Sequence, residues 1–448
     1  MKLKNVIESP CGIRYVLDQL EIQSSCARRW LLDTSMLVTA EDIDAAYASL
    51  RRFVTFVEQV DDSHLNTLQF KLQALKDIRT TIKNLEHGAT LDDIELFEVK
   101  HLALLSIDVS KLLQSYGMAD VAAIPDMREI VNILDPDGLK IATFYIYDSY
   151  CERLKDLRVQ MRQQPDQADD LLSEANELEN EVRSELSEKL HPFAQSIAEV
   201  QVALARIDVN LAKALQMKQR GMHFPTISQD DTSRYEGLFH PQVKDVLAKA
   251  GREFQKVNVS FGRRPTLITG ANMGGKTVVL KTLTLCQYLF QFGFGIPADR
   301  ADIAIKEEVY FCIGDDQSIE KGLSSFAAEM KNIDAVIKAS RENRKLLALI
   351  DEPARTTNPT EGAALVAALL KVLSVREMSL VMTTHYDIEP GESHRLRVKG
   401  FVDGAMDYSL VEVQDGDVPH EALNIAESLG IDSEWIEQAR KELKIDTK

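Results

Sequence analysis

The residues best suited to chemistry form a glycine-rich loop in the second half of the chain. The segment Gly270–Thr277 satisfies the pattern G-x-x-x-x-G-K-[ST], between the apolar stretch TLIT and a helical pattern. Glycines let backbone N–H groups approach phosphate oxygens, a lysine can bridge the outer phosphates, and a hydroxyl can bind magnesium. The loop therefore predicts nucleotide binding, and Thr277 is predicted to bind magnesium as well. Its residues are Gly270, Ala271, Asn272, Met273, Gly274, Gly275, Lys276 and Thr277.

Two later apolar stretches end in side chains that could complete such a site. The run Leu346–Ile350 is followed by Asp351 and Glu352, and SLVMTT is followed by His385. A carboxylate at the end of a buried strand suits magnesium, and the next carboxylate can polarise an attacking water. An imidazole there could sense the γ-phosphate. We predict these roles, against the alternatives of a solvated acidic strand end and a structural histidine.

Hydrophobic periodicity divides the chain into a helical part and a mixed part. Apolar residues recur three and four apart up to the turn-rich stretch RGMHFPTISQDDTSRYEG, after which strand and helix patterns alternate. Residues 145–190 are charged, with one break at QQPDQADD, which is typical of a helical hairpin. A returning helix should pack on the helical body through one apolar stripe. The stripe consists of Leu204, Ile207, Leu211 and Leu215.

These patterns predict an α + α/β protein in four segments. Residues 1–135 form a helical domain, 136–220 a helical-hairpin arm, 221–420 a P-loop α/β ATPase domain, and 421–448 closing helices. A chain of 448 residues is long enough for several domains that each bury a core.

Charge and composition limit the partners and the compartment. The chain has 52 Lys and Arg against 70 Asp and Glu, a net charge of -18, which disfavours non-specific attraction to a polyanion. The arm over residues 145–190 is itself acidic, with 12 acidic and 6 basic side chains. Five scattered cysteines without a Cys-x-x-Cys pair fit a reducing cytosol, as buried thiols. The start MKLKNVIESP lacks a secretion signal, so we expect a cytoplasmic protein that does not enter a membrane.

Several spaced motifs together resemble the MutS-type ATPases, an ABC-like branch of P-loop proteins. They are ITGANMGGKT, the signature-like GDDQSIEKGLSSFAAEM, NPTEGAALVAALL, TTHY, FHPQV, and ALNIAESLGIDSEWIEQARKEL near the end of the sequence. The helical body resembles the MutS core and lever, and the charged hairpin lies where the family has its clamp. The resemblance covers most of the chain.

The resemblance implies a homodimer that binds ATP and Mg²⁺ between two ATPase domains. In such proteins a serine of the signature segment completes the partner's site, so Ser324, or its neighbour Ser325, would act on ATP held by Lys276 of the other subunit. A helix N-cap is a second interpretation of GLSSF, and both can hold because helix N-termini bind phosphate. By the same resemblance, His240 in FHPQV would contact the adenine, and the last helices would help form the dimer.

The sequence also departs from the family. The core-like pattern begins near Gly12, so we expect the chain to lack the domain that, in the mismatch-repair members of the family, inserts a Phe-x-Glu wedge into DNA. The clamp tip is an acidic turn, and we expect no nuclease domain after the ATPase segment. After Glu352, Ala354 and Thr356 stand where relatives usually have glycine, and Asn358 stands where Asp is frequent. These changes put the rate of hydrolysis in question more than nucleotide binding.

Three functions fit these features. The favoured one is a protein-remodelling ATPase, because the reduced domain plan resembles the reactivating factors of cobalamin-dependent lysine or ornithine aminomutases, with a protein client or small partner subunit. The second is a DNA-binding MutS-like ATPase of repair or recombination without mismatch recognition, which the acidic charge disfavours. The third is a nucleotide-gated scaffold that barely hydrolyses ATP.

Overall fold

A computed structural model describes most of the chain. The described residues are 1–119, 121, 123–141, 143–163, 168–270, 274–313, 325–342, 345–386, 388–389, 391–402, 405–413, 426 and 430–442. In these residues the protein combines helices with two mixed sheets. Every described helix is too short or too polar to cross a lipid bilayer.

Among the described residues before Gly221, the regular structure is helical apart from an isolated bridge, and further helices follow Gly221. The helices are α1 (Ile13–Asp18), α2 (Ser25–Asp33), α3 (Ala40–Gln59), α4 (Asp62–Gln73), α5 (Arg79–Glu86), α6 (Asp93–Ser115), α7 (Arg128–Leu134), α8 (Glu152–Gln163), α9 (Ala168–Leu190), α10 (Ala194–Arg220), α11 (Pro241–Lys249), α12 (Lys276–Gln291), α13 (Ser325–Ala339), α14 (Pro359–Ser374) and α15 (Ser433–Glu442).

Strands alternate with helices after Gly221. The strands are β1 (Thr226–Ile227), β2 (Ser233–Leu238), β3 (Val257–Phe261), β4 (Thr266–Thr269), β5 (Arg300–Ile303), β6 (Glu308–Ile313), β7 (Leu346–Asp351), β8 (Met378–Thr383), β9 (His394–Val402) and β10 (Ala405–Glu412). The larger sheet has the order β10-β9-β4-β8-β7-β6, and its neighbours run parallel except β9 and β10. The smaller sheet has the order β1-β5-β2-β3.

Strand β7 is buried on both faces, as expected of a central parallel strand. Its residues alternate between two hydrophobic clusters. Leu347 and Leu349 pack in the cluster that includes α12, whereas Leu346, Ala348 and Ile350 pack in the cluster that includes α13 and α14. The strand therefore carries its last residues to the edge of the sheet between helices on both sides.

The helix α10 is the central packing element of the helical part. Its predicted stripe is buried, and the helix packs against α2 and α3. The stripe consists of Leu204, Ile207, Leu211 and Leu215. Gly221 ends the helix in the left-handed conformation with φ of 64°, which glycine adopts without strain. The first strand of the protein follows a few residues after this glycine.

The helices α8 and α9 contact each other in the charged segment of residues 145–190. Arg153 pairs with Glu174 at 2.7 Å, and Arg158 pairs with Glu179 at 2.8 Å. Partly exposed pairs of this kind contribute about 0.2–1 kcal/mol each. The tip predicted at QQPDQADD includes residues 164–167, which lie outside the described residues.

The C-terminal end of α12 is anchored in the helical part. Tyr47 of α3 donates its hydroxyl to the carbonyl of Phe294 at 2.8 Å. Lys213 of α10 donates its ammonium to the carbonyls of Phe292 and Gly293 at 2.8 and 3.0 Å. Burial lowers the pKa of Lys213 to about 7. Since α12 starts at the phosphate loop, these bonds connect that loop to the helical body.

Candidate nucleotide site

Three parallel strands end at one edge of the larger sheet. Strand β8 lies between β4 and β7 and runs parallel to both. The carboxyl ends of neighbouring parallel strands form the usual ligand-binding edge of such sheets. This topology brings Gly270 after β4, Asp351 at the end of β7, and Thr383 at the end of β8 to the same place.

Lys276 is the buried cation of this edge. It is the first residue of α12, preceded by Gly275 in the left-handed conformation with φ of 78°. Its ammonium donates to the carbonyl of Gly270 at 2.7 Å and lies 3.3 Å from a carboxylate oxygen of Glu352. The lysine and glutamate side chains are 4% and 11% exposed, so the pair is nearly desolvated. A cation held there is well placed to attract phosphate oxygens.

A chain of hydrogen bonds fixes Asp351. Thr277 donates its hydroxyl to one carboxylate oxygen at 2.7 Å, and Thr383 donates to the other at 2.7 Å. Thr383 also accepts the backbone N–H of Glu352 at 2.9 Å. Thr383 therefore orients both acidic residues. The sequence did not single it out, because its only signal is its position at the end of an apolar stretch.

The Thr277 and Asp351 oxygens fit a hard cation such as Mg²⁺. Both are oxygen donors, and magnesium usually takes one or two protein oxygens with waters and substrate phosphates completing its shell. Among the described residues, no cluster of three or more His, Cys, Asp or Glu forms an all-protein metal cage. The donor set therefore suits a metal that arrives with a nucleotide.

The backbone after Asp351 turns sharply through two residues in the left-handed region. Glu352 has φ of 42° and Ala354 has φ of 60°. Each such non-glycine residue costs about 1–2 kcal/mol. A glycine at position 354 would adopt this conformation without strain. Arg355, three residues after Glu352, contacts its carboxylate at 3.4 Å.

His385 follows β8 and is exposed. Its ring lies against that of Tyr386, with ring centroids 4.1 Å apart. The structure thus places this histidine at the same edge of the sheet as Asp351, two residues after Thr383.

A cavity of about 290 Å³ adjoins the phosphate loop. Gly274 and Gly275 form one side, and Phe254 and Tyr408 supply aromatic rings. A methyl group on Gly275 would lie 3.3 Å from the ring of Tyr408, so glycine leaves room for this close approach. Gln255 links two lining segments of the cavity, because its side-chain oxygen accepts the backbone N–H of Tyr408 at 2.9 Å. Sequence analysis did not find Phe254, which lies outside any periodic pattern.

His240 lies at the N-cap of α11 rather than among the residues that line this cavity. One ring nitrogen contacts the carbonyl of Cys11 at 3.2 Å, and the other accepts the backbone N–H of Val243 at 3.5 Å. The side chain is 2% exposed. This placement differs from the expectation that His240 contacts adenine, because both of its nitrogens are engaged within the protein. Its neighbours Leu238 and Val243 do line the cavity.

Comparisons with known proteins match the second part of the chain. Residues 266–442 match the family model described as MutS domain V. The match indicates an ATPase domain similar to that of MutS-type proteins. Over 208 residues the chain is 38% identical to Endonuclease MutS2 of Streptococcus pneumoniae strain Taiwan19F-14, and 37% identical to Endonuclease MutS2 of serotype 19F strain G54. Each alignment covers 46% of this chain and 25% of the relative, so the chain spans about a quarter of those proteins.

Some residues predicted for the nucleotide site lie outside the described residues. In the phosphate loop these are Ala271, Asn272 and Met273; in the signature-like segment the residue is Ser324. Of the remaining predictions, the structure brings Lys276, Thr277, Asp351 and Glu352 into direct contact with one another or with shared partners.

The buried His240 should make stability depend on pH. Burial lowers its pKa from the ordinary 6.5 to about 4, so the folded state holds it neutral while the unfolded state protonates it below 6.5. The stability contribution is therefore present above pH 6.5 and is lost as pH falls towards 4. We expect a loss of about 2 kcal/mol by pH 5. Urea unfolding at pH 7 and pH 5 measures it.

The variant His240→Asn is the matched control for this titration. Asparagine is a good N-cap and can accept the N–H of Val243, but it does not titrate. Its unfolding free energy should fall less between pH 7 and pH 5 than that of the unchanged protein. Equal losses in the two proteins would contradict a neutral buried His240.

Proposed function

We propose that this protein is a dimeric MutS-type ATPase that couples ATP binding and hydrolysis to a conformational change in a DNA transaction. The observation that carries the ATPase part is the contact network that joins Lys276, Thr277, Asp351 and Glu352 at one edge of a parallel sheet. The match of residues 266–442 to MutS domain V supports it.

The residues of the edge have separate chemical tasks in this proposal. Lys276 and the loop N–H groups bind the phosphates of ATP. Thr277 and Asp351 hold Mg²⁺, which supplies charge neutralisation at the transferred phosphate. Glu352 activates the attacking water. Because Glu352 contacts Lys276 at 3.3 Å, phosphate oxygens would compete with this carboxylate for the lysine.

The cavity beside the loop supplies a place for the base of the nucleotide. It is lined by apolar side chains and by the rings of Phe254 and Tyr408, and it opens on Gly274 and Gly275. Stacking on an aromatic ring suits a planar base. We assign adenine to this cavity, and His240 then supports the cavity wall through α11 instead of touching the base.

Two copies of the chain are expected to form the working unit. The signature-like segment would bring Ser324 to the phosphates bound by the partner's loop, and His385 at the end of β8 would sense the γ-phosphate in its own subunit. Anchoring of α12 by Tyr47 and Lys213 offers a route by which movement at the phosphate loop reaches the helical body and the segment of α8 and α9.

DNA is the proposed partner because of the relatives. The relatives are named as endonucleases, an activity on nucleic acid, and they give no support to an aminomutase client. The net charge of -18 argues against DNA as the partner, because it disfavours binding to a polyanion. The same charge favours a protein client. Remodelling of a cobalamin-dependent aminomutase is thus the second candidate.

The ATPase rate with each partner tests this proposal. We expect duplex or branched DNA to stimulate hydrolysis several-fold at near-physiological salt, and raised salt to weaken the stimulation because phosphate contacts release counterions. The purified protein is assayed alone, with each DNA, and with an inactivated cobalamin-dependent aminomutase. Lys276→Ala provides the background rate. If the aminomutase raised the hydrolysis rate and DNA did not, a protein client would replace DNA as the proposed partner. If neither raised the rate, a nucleotide-gated scaffold would be favoured.

A further inference from the structure

Ala354 is held at both of its backbone polar groups by side chains from other elements. Its N–H donates to a carboxylate oxygen of Glu329 in α13 at 3.0 Å. Its carbonyl accepts the hydroxyl of Tyr386, after β8, at 2.7 Å. Ala354 is 1% exposed, so water does not replace these bonds. Two elements that are distant in sequence therefore hold Ala354, two positions after Glu352, through hydrogen bonds.

The packing around Tyr386 is shaped for this contact. Gly362 in α14 faces the tyrosine ring, and a methyl group there would overlap the hydroxyl and its ring carbon. The backbone N–H of Tyr386 also donates to the hydroxyl of Thr384 at 3.0 Å, which fixes the start of the segment. The tyrosine hydroxyl thus has one defined position, at the carbonyl of Ala354.

These two hydrogen bonds hold a strained turn. Glu352 and Ala354 both have positive φ, a region that residues with side chains leave when nothing holds them. Glu352 is tied to Thr383 through its N–H, but its carboxylate direction also depends on the residues that follow. Burial raises the pKa of the Glu329 carboxyl, and the hydrogen bond from the Ala354 N–H and the charge of Arg355 partly oppose that rise.

We propose that Glu329 and Tyr386 are positioning residues that hold the turn from Glu352 to Ala354 and thereby aim the Glu352 carboxylate for hydrolysis. The inference rests on the proposed function of Glu352. Both residues act through the backbone of Ala354. Glu329 lies both in the signature-like segment and in the first turns of α13, so movement of α13 would reach the turn through Glu329.

Variants that remove one bond at a time test the proposal. Glu329→Leu removes the acceptor of the Ala354 N–H, and Tyr386→Phe removes only the hydroxyl. Each should lower kcat about 10- to 100-fold, as a catalytic group misplaced by about 1 Å does, with little change in ATP affinity. Glu329→Gln keeps an acceptor oxygen and should restore most of kcat. Steady-state kinetics, ATP-binding titrations and thermal unfolding are measured on each full-length protein.

A double-mutant cycle separates positioning from mere stability. If Glu329 acts through Glu352, then Glu329→Leu should cost little further kcat in a Glu352→Gln background, because the group that it aims is already disabled. Additive losses, or unchanged kcat in both Glu329→Leu and Tyr386→Phe, would overturn the proposal. Should Glu352→Gln alone leave hydrolysis unchanged, the failure would lie in the proposed role of Glu352.

Discussion

Replacing Lys276 with alanine is expected to abolish tight ATP binding and to lower hydrolysis about 100-fold or more, as loss of one preorganised charge at a reacting phosphate does. The ammonium lies in a nearly buried position, in contact with the Gly270 carbonyl and the Glu352 carboxylate. Removing it takes away the cation for the outer phosphates. It also leaves Glu352 without its lysine partner, so the carboxylate would repel the nucleotide. Titration with a fluorescent ATP analogue measures the loss.

Lys281 provides the matched control for this experiment. It lies on α12, five residues after Lys276, and is half-buried. Lys281→Ala removes the same charge from the same helix without removing a group of the site, so ATP binding should be nearly unchanged. Equal losses from both variants would show that helix stability or net charge, and not the phosphate contact, explains the effect of Lys276→Ala.

Replacing Glu352 with glutamine should separate ATP binding from hydrolysis. The amide keeps the size of the side chain but cannot accept a proton from water, so we expect kcat to fall about 100- to 1,000-fold, within the range for a lost general base. ATP affinity should hold or rise, because a carboxylate near the phosphates is gone. The ATP-bound dimer should then accumulate, which size-exclusion chromatography with ATP and Mg²⁺ would detect.

Glu361→Gln is the matching control for the glutamate. Glu361 is exposed in the first turn of α14, where it does not line the site. This change removes one negative charge close to the same loop and should leave kcat within about two-fold, as expected for an exposed surface position. Hydrolysis by Glu352→Gln at the rate of the unchanged protein would refute the assigned role of Glu352 as the base.

The two Glu352 contacts also explain how binding and hydrolysis could be ordered. Glu352 is paired with Lys276 and touches Arg355, so cations hold its carboxylate on two sides. Phosphates that draw Lys276 away would release one of these contacts. The carboxylate would then approach the attacking water only once the nucleotide is in place.

The residues from Gly270 to Thr277 and the pair Asp351 and Glu352 could be predicted from sequence because each is a short contiguous pattern. An apolar strand and the residues that follow it stay together in any fold that keeps the strand. The alternation of strands and helices after Gly221 likewise comes from local periodicity. These features gave the mixed fold class and the ATPase activity.

Other features required the tertiary structure because they depend on which distant elements become neighbours. Thr383 joins Asp351 only because β8 pairs with β7, and the cavity at Phe254 exists only because that residue meets the phosphate loop and β10. His240 has a suggestive motif but is buried against Cys11. Sequence periodicity shows which face of a helix or strand is buried, but it does not show which other element packs against that face.

The sequence by itself determined the negative net charge of the chain, and it predicted the phosphate loop and the carboxylate pair. The tertiary structure alone decided that Glu329 and Tyr386 meet at Ala354, 25 and 32 residues away along the chain. The physical reason is that a loop motif is encoded by consecutive backbone conformations, whereas a hydrogen bond between elements is set by strand order and helix packing. Those are properties of the whole folded chain.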